Sequence, residues 1–216
     1  MTKIAIVNFA NSTGWYQQGQ ERLGESVNKF TDVSFFGFKS EAEIGSPLHK
    51  DNPYAFKIYS MQKAREQGYD VVIFMDASMY LVKPITPILE YIERVGYIME
   101  EAGHYAGTWA NANCLKYFNL SKEEAMKITM FSAGFIGLDF RKEISREFFA
   151  RWKNAMLGGA FIGNHIDHRH DMTCGSIIAQ HQLGMEYSRG GYFLAYIGEV
   201  YGKPSETSII HLVPTV

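Results

Sequence analysis

Three groups of side chains in this sequence combine types and spacings suited to chemistry. The first centres on Asp76, which closes Asp70-Val71-Val72-Ile73-Phe74-Met75-Asp76, a continuous apolar run ended by an acid. Such a run predicts a central parallel strand covered on both faces, and open α/β sheets bind ligands at the carboxyl ends of their strands. Ala77 and Ser78 are small and leave room for an approach. The competing reading is a carboxylate that caps the next turn or pairs with a lysine. The second group follows the first strand. Asn8, Ser12 and Thr13 can hydrogen-bond and Trp15 or Tyr16 can stack on a nucleobase, unless they form an ordinary polar turn ahead of core aromatics. The third is His165-Ile166-Asp167-His168-Arg169-His170-Asp171, which holds three of the seven histidines just before an expected helix. It can bind metal, phosphate or sugar hydroxyls, although ligands alternating in an irregular stretch match neither H-E-x-x-H nor C-x-x-C. Asp171 shares the inward helix face with Cys174, so its carboxylate either enters a cleft or, in competition with Asp167, caps the helix.

Several chemistries lack their signatures. The turn Asn8-Phe9-Ala10-Asn11-Ser12-Thr13-Gly14 has no G-x-G-x-x-G, and neither G-x-x-x-x-G-K-[ST] nor G-x-S-x-G occurs. Dinucleotide binding, P-loop hydrolysis and elbow-serine hydrolysis are therefore disfavoured. The two cysteines, Cys114 and Cys174, show no pairing or metal signature, and Cys174 reads as a small buried hydrophobe.

The elements that must carry these groups alternate. Strands are expected over residues 3–9, 33–38, 70–76 and 130–140, with helices over 15–30, 54–67 and 171–182. Pro84 opens a helix with Ile85, Ile88, Leu89 and Ile92 on one face, and Ile144, Phe148, Trp152 and Met156 mark another. Residues 39–53 read as a long surface loop, 96–113 as two short strands around Gly103, and Ser121 to Glu124 as a capping box. Residues 192–200 and 207–213 are β-like. With 216 residues, 46% hydrophobic, 20% charged and a formal charge of −2, the chain suits a single domain and offers no global basic field for nucleic acid. The first ten residues fit neither a signal peptide nor a membrane span, and so few cysteines point to a reducing cytoplasm.

In this order the segments resemble the glycosyltransferases of the GT-A fold. Tyr54-Ala55-Phe56-Lys57-Ile58 is similar to the helix before the donor strand, and Val72-Ile73-Phe74-Met75-Asp76-Ala77-Ser78 to the strand carrying D-x-D. Phe131-Ser132-Ala133-Gly134-Phe135-Ile136-Gly137 resembles the F-N-A-G strand lining the cleft, His168-Arg169-His170-Asp171-Met172-Thr173 the H-R-H-D-Q helix start, and Ile209-Ile210-His211 the last strand, whose His completes a metal site. The resemblance implies a GT-A-like, Rossmann-type mixed sheet flanked by helices, and transfer of a hexosyl or pentosyl group from a nucleotide sugar, a UDP-sugar above all, to an acceptor hydroxyl. It implies Asp171 as the catalytic carboxylate, the general base of an inverting reaction or the group that steadies or attacks an oxocarbenium-like sugar in a retaining one. Asn8, Ser12, Thr13, Trp15, Lys57, Asp76, Ser78, Ser132, Ala133, Gly134 and Arg169 would hold the donor, with Lys83 a further cation for it. Asp76, Ser78 and His211 would hold Mn²⁺ or Mg²⁺. Ser78 stands where the family has its second acid, which leaves metal dependence open and raises the alternative of a non-catalytic nucleotide- or glycan-binding member. The acceptor is open among a glycan, a small molecule and a modified nucleic-acid base, as in some phage enzymes, and a second subunit of a homo-oligomer is one way to close the cleft.

Overall fold

The computed structural model describes residues 2–11, 14–189, 196–200 and 209–210. In chain order the elements are β1 (Ile4–Phe9), α1 (Trp15–Phe30), β2 (Ser34–Phe38), α2 (Glu41–Ile44), α3 (Ala55–Glu66), β3 (Val71–Met75), β4 (Met79–Leu81) and α4 (Thr86–Val95). Then come β5 (Tyr97–Tyr105), α5 (Ala106–Trp109), α6 (Ala112–Phe118), α7 (Lys122–Ala125), β6 (Thr129–Asp139), α8 (Glu143–Leu157) and α9 (His170–Ser176), which runs on into a π-helical turn, Ile177–Gln182. β7 (Ile197–Val200) and β8 (Ile209–Ile210) complete the set.

The main sheet has the order β2-β1-β3-β6-β5. β1 runs parallel to β2 and β3, whereas β6 is antiparallel to both β3 and β5. A smaller sheet, β4-β7-β8, branches off after β3. The two-residue period of a strand sorts the core. Ala5, Val7 and Phe9 of β1 with Val72 and Phe74 of β3 pack beneath Ile58 and Met61 of α3 and Phe148 and Trp152 of α8. Ile6, Ile73 and Met75 face the other way, onto Leu23 and Val27 of α1 and Ile88 and Ile92 of α4. A fully buried Val, Leu, Ile, Phe or Met side chain contributes about 1.5–3 kcal/mol, and β3, which leads to the site, is buried at every position. Among the described residues no helix is long and apolar enough to cross a membrane.

Two expectations change. Residues 97–105 form one strand rather than two, because β5 follows β6 through shifts in register and Gly103 sustains a positive φ of 70°. The expected loop 39–53 contains α2, whose N-cap Ser40 accepts a hydrogen bond from the Glu43 amide. The capping box of Ser121 and Glu124 forms as expected. Of the expected strand 207–213, only 209–210 lies within the described residues.

Candidate active site

Asp76 is the first residue beyond β3, and its N–H donates to the Gly134 carbonyl at 2.8 Å, so the acid faces β6 at the sheet's carboxyl edge. α1 clamps the turn that follows. Arg22 donates to the carbonyls of Ala77 at 3.1 Å and Ser78 at 3.3 Å, and Gly19 packs so closely that an added Cβ would come within 2.1 Å of the Ala77 oxygen. Opposite, a Cβ on Gly134 would stand 3.0 Å from Asp76 Oδ2. The carboxylate therefore occupies space that only glycine leaves free.

Asp171 reaches the same place from α9. Trp152, fully buried on α8, donates its indole N–H to the Asp171 carbonyl at 3.0 Å and pins the start of the helix. Between the two acids stands Lys57 of α3, 3% exposed. Its Nζ donates to the Ala133 carbonyl at 2.8 Å and lies 3.1 Å from Asp171 Oδ2 and 3.5 Å from Asp76 Oδ1. An ammonium has three donors, and three acceptors surround this one. Burial works against the ammonium, but Asp171 and then Asp76 outweigh it and hold Lys57 above its usual range. Burial likewise pushes the Asp171 carboxyl up, more than Lys57 pulls it down. The Asp76 carboxyl also lies above its ordinary range, through the water stripped from it and against the pull of Lys57, although 38% of its side chain still meets solvent.

Two cavities meet at Tyr54, Asp76 and Ser78. One, of about 440 Å³, is polar and lined by Lys57, Ser132, Ala133, Gly134, Arg169 and Asp171. The other, of about 340 Å³, has aromatic walls from Phe9, Trp15, Tyr16 and Phe56. Trp15 and Tyr16 stack at 3.8 Å between ring centroids. Arg169, exposed, lays its guanidinium 4.2 Å from the ring centre of Trp109. The cleft thus offers an aromatic-walled cavity, an exposed cation and two acids, Asp171 buried and Asp76 partly exposed.

Residues distant in the chain therefore converge: Lys57, Asp76, Ser78, Ser132, Ala133, Gly134, Arg169 and Asp171 line one cavity, and Trp15 the other. Asn8 is a correction. It is fully buried, its Nδ2 donates to the Met75 carbonyl at 2.6 Å and its Oδ1 accepts from Gln20 at 2.9 Å, so it straps β1 to β3 and has nothing to offer a ligand. Lys83 places its ammonium 4.6 Å from the ring centre of Tyr196 and lines neither cavity. Ser12, Thr13 and His211 lie outside the described residues.

Tyr54 is the functional candidate that sequence periodicity missed, since it reads as part of the apolar face of α3. It instead precedes the helix in the left-handed region, φ 61°, with its ring 5.2 Å from Lys57 Nζ and beside His49, His165 and His170. His170 is held down to about 4 by burial and so is neutral. Its Nδ1 lies 2.8 Å from the Phe161 carbonyl, which can only accept, and its buried Nε2 has no hydrogen-bond partner among the described residues.

A divalent cation, which the D-x-D resemblance implies, would find Asp76 as the one acid of that motif here. Mg²⁺-type sites often use one or two carboxylates and complete the shell with phosphates and water. With Asp76 Oδ1 turned to Lys57, Oδ2 on the Gly134 side fits that minimal role, with Ser78 beside it.

The sequence matches no protein-family profile and no curated protein. Solved structures do match. A crystal structure of a glycosyltransferase involved in the glycosylation of the major capsid of PBCV-1 superposes with a TM-score of 0.52 at 12% identity, over 87% of this chain and 82% of that one. The fold is glycosyltransferase-like. The apo structure of the bifunctional glycosyltransferase WbbM matches with a TM-score of 0.45, also at 12% identity, over 82% of this chain and 36% of that one. The mixed five-stranded sheet flanked by helices is the GT-A-like arrangement that the sequence resemblance implied.

Proposed function

We propose that this chain is a glycosyltransferase that moves a sugar from a nucleotide-sugar donor, a UDP-sugar, to an acceptor hydroxyl. The observation that carries the reading is the convergence of Asp76 and Asp171 on one ammonium, Lys57, at the carboxyl edge of β3 in a glycosyltransferase-like fold. The aromatic cavity suits a nucleobase, the junction at Asp76 and Ser78 the diphosphate, and the polar cavity the sugar and the acceptor.

The chemistry follows from charge. As the bond between the anomeric carbon and the donor phosphate breaks, negative charge grows on the leaving diphosphate and must be met by positive groups aimed at it. Lys57 already faces two acids and a carbonyl, so the exposed guanidinium of Arg169 is the cation placed to meet it. A Mn²⁺ or Mg²⁺ ion held by Asp76, with Ser78 adjacent, would supply further neutralisation of that charge when bound. In an inverting displacement the acceptor oxygen bonds to the anomeric carbon, the diphosphate leaves with the electron pair of the broken bond, and the acceptor proton passes to Asp171. In a retaining reaction Asp171 instead steadies or attacks the oxocarbenium-like sugar. Burial raises the pKa of Asp171, which suits a proton acceptor, and Lys57 opposes that rise.

Incubation with a panel of nucleotide sugars, with and without Mn²⁺, tests the reading through release of nucleoside diphosphate. Absence of both release and nucleotide binding overturns it. Ser78 in place of a second acid favours one rival, a non-catalytic binder of nucleotide or glycan, for which donor binding without turnover is the signature. Sugar transfer to a modified DNA base would show itself by steep salt inhibition.

A further inference from the structure

Behind the cleft, three side chains that the glycosyl-transfer reading does not use meet in the core. Cys114 comes from α6, His168 from the segment before α9, and Cys174 from α9 itself. All three are fully buried, and their Sγ and ring-nitrogen atoms lie within 4.8 Å of one another. The two sulfurs are 3.7 Å apart. Two thiolates each about 2.3 Å from a tetrahedral zinc ion stand about 3.8 Å apart, so the sulfur spacing is already that of a shared ion.

A second observation comes from the histidine. His168 Nδ1 lies 3.0 Å from the Trp109 carbonyl and Nε2 lies 2.9 Å from the Ala160 carbonyl. Carbonyls only accept, and a neutral imidazole has one N–H. If Nδ1–H donates to Trp109, the Nε2 lone pair of the neutral ring faces an acceptor oxygen, and a small outward shift of the Ala160 carbonyl would let that lone pair bind a cation beside the two sulfurs. Metal-binding histidines commonly give their other N–H to a backbone carbonyl in this way. The Ala160 carbonyl also accepts from Cys174 Sγ at 3.3 Å, so it lies beside two of the three ligand atoms.

We infer that Cys114, Cys174 and His168 form a structural zinc site, with the Ala160 carbonyl or a water as fourth ligand. Binding releases two thiol protons to solvent, and Zn²⁺ with two thiolates and a neutral imidazole carries no net charge, which limits the cost of burying it. The surroundings hold the ligands in place beforehand. Asn111 Oδ1 caps α6 by accepting from the Cys114 amide at 2.9 Å, while its Nδ2 donates to the Ile162 carbonyl at 2.8 Å. A Cβ on Gly163 would come within 3.1 Å of His168 Cβ, so that loop packs directly on the ligand. The ion would tie α6 and α9 to the segment carrying Arg169 and would stand apart from any cation at Asp76.

The full chain, purified from zinc-supplemented culture without chelator, tests this. Elemental analysis should find about one zinc per chain. After chelator treatment, Co²⁺ should produce thiolate-to-cobalt charge-transfer absorption, which an oxygen site at Asp76 cannot give, and Zn²⁺ should abolish it. Zinc buffered at about a thousand times its Kd should raise Tm of the stripped protein by roughly 8–16 °C. Cys114→Ser and Cys174→Ser, with folding checked by circular dichroism, should lose the cobalt band. A folded wild type that gives no band and no shift overturns the inference, as do full metal content in both serine variants or a native Cys114–Cys174 disulfide found by mass spectrometry. Should the variants not fold, the wild-type zinc count and cobalt spectrum decide the question alone.

Discussion

Replacing Lys57 with methionine is the sharpest test of the site's electrostatics. The ammonium is 3% exposed and its partner Asp171 is 4% exposed, so their interaction is not screened by water. Methionine keeps a long unbranched buried stem and removes the charge. Two acids are then left facing one cleft with no cation between them. Removing one member of a buried pair costs about 3–5 kcal/mol, which for a chain of this size lowers Tm by roughly 6–20 °C. Thermal and denaturant unfolding followed by circular dichroism would measure it. The companion measurement is the double variant Lys57→Met with Asp171→Asn. If the loss comes from an uncompensated carboxylate, neutralising Asp171 restores stability, and the double variant should be at least about 1 kcal/mol more stable than additive single losses predict. The reasoning is refuted if Lys57→Met costs less than about 1 kcal/mol, the value of an exposed ion pair, or if the two losses simply add.

Asp171→Asn should lower kcat by about 10²- to 10⁴-fold, the range for loss of a positioned proton acceptor, while nucleotide binding measured by calorimetry stays within a few fold. The pH profile of kcat/KM should fall towards acid with a limb above the ordinary carboxylate range, because Asp171 acts when unprotonated and burial raises its pKa. In Lys57→Met that limb should move to still higher pH, since Lys57 is what pulls the Asp171 pKa down, whereas His170, held to about 4, would contribute only at the acid end. Trp15→Ala should weaken UDP binding by roughly 5- to 150-fold through lost stacking of about 1–3 kcal/mol. Gly134→Ala should cut activity with little change in Tm, because the new methyl meets Asp76 Oδ2 and the flexible end of Met79 rather than backbone.

Much of the frame was legible without coordinates. Continuous apolar residues ending in an acid announce a strand buried on both faces with its carboxylate at the edge, since alternate side chains point to opposite faces and apolar ones on both must be taken out of water. The three-residue offset from Asp171 to Cys174 likewise announces one face of one helix, because helical pitch is a local property. Both acids were found this way. Residues 96–113 read as two strands around Gly103, whereas irregular pairing with β6, a partner far along the chain, carries one strand past Gly103 to Tyr105 and the rest turns into α5 and α6.

What local pattern could not decide is where side chains from different elements meet. Asn8, polar at the end of a strand, reads like a loop ligand, and only the pairing of β1 with β3 turns its amide onto Met75 and Gln20. Lys57 reads like one more solvated charge off the apolar face of α3, yet two acids and a carbonyl from three other elements make its burial affordable. Cys114 and Cys174, 60 residues apart, have no signature between them until α6 and α9 pack together around His168. Periodicity follows from the geometry of a single stretch of backbone and is written in the order of its residues; convergence depends on which stretches share a core, and that is settled only by burial of the whole chain at once.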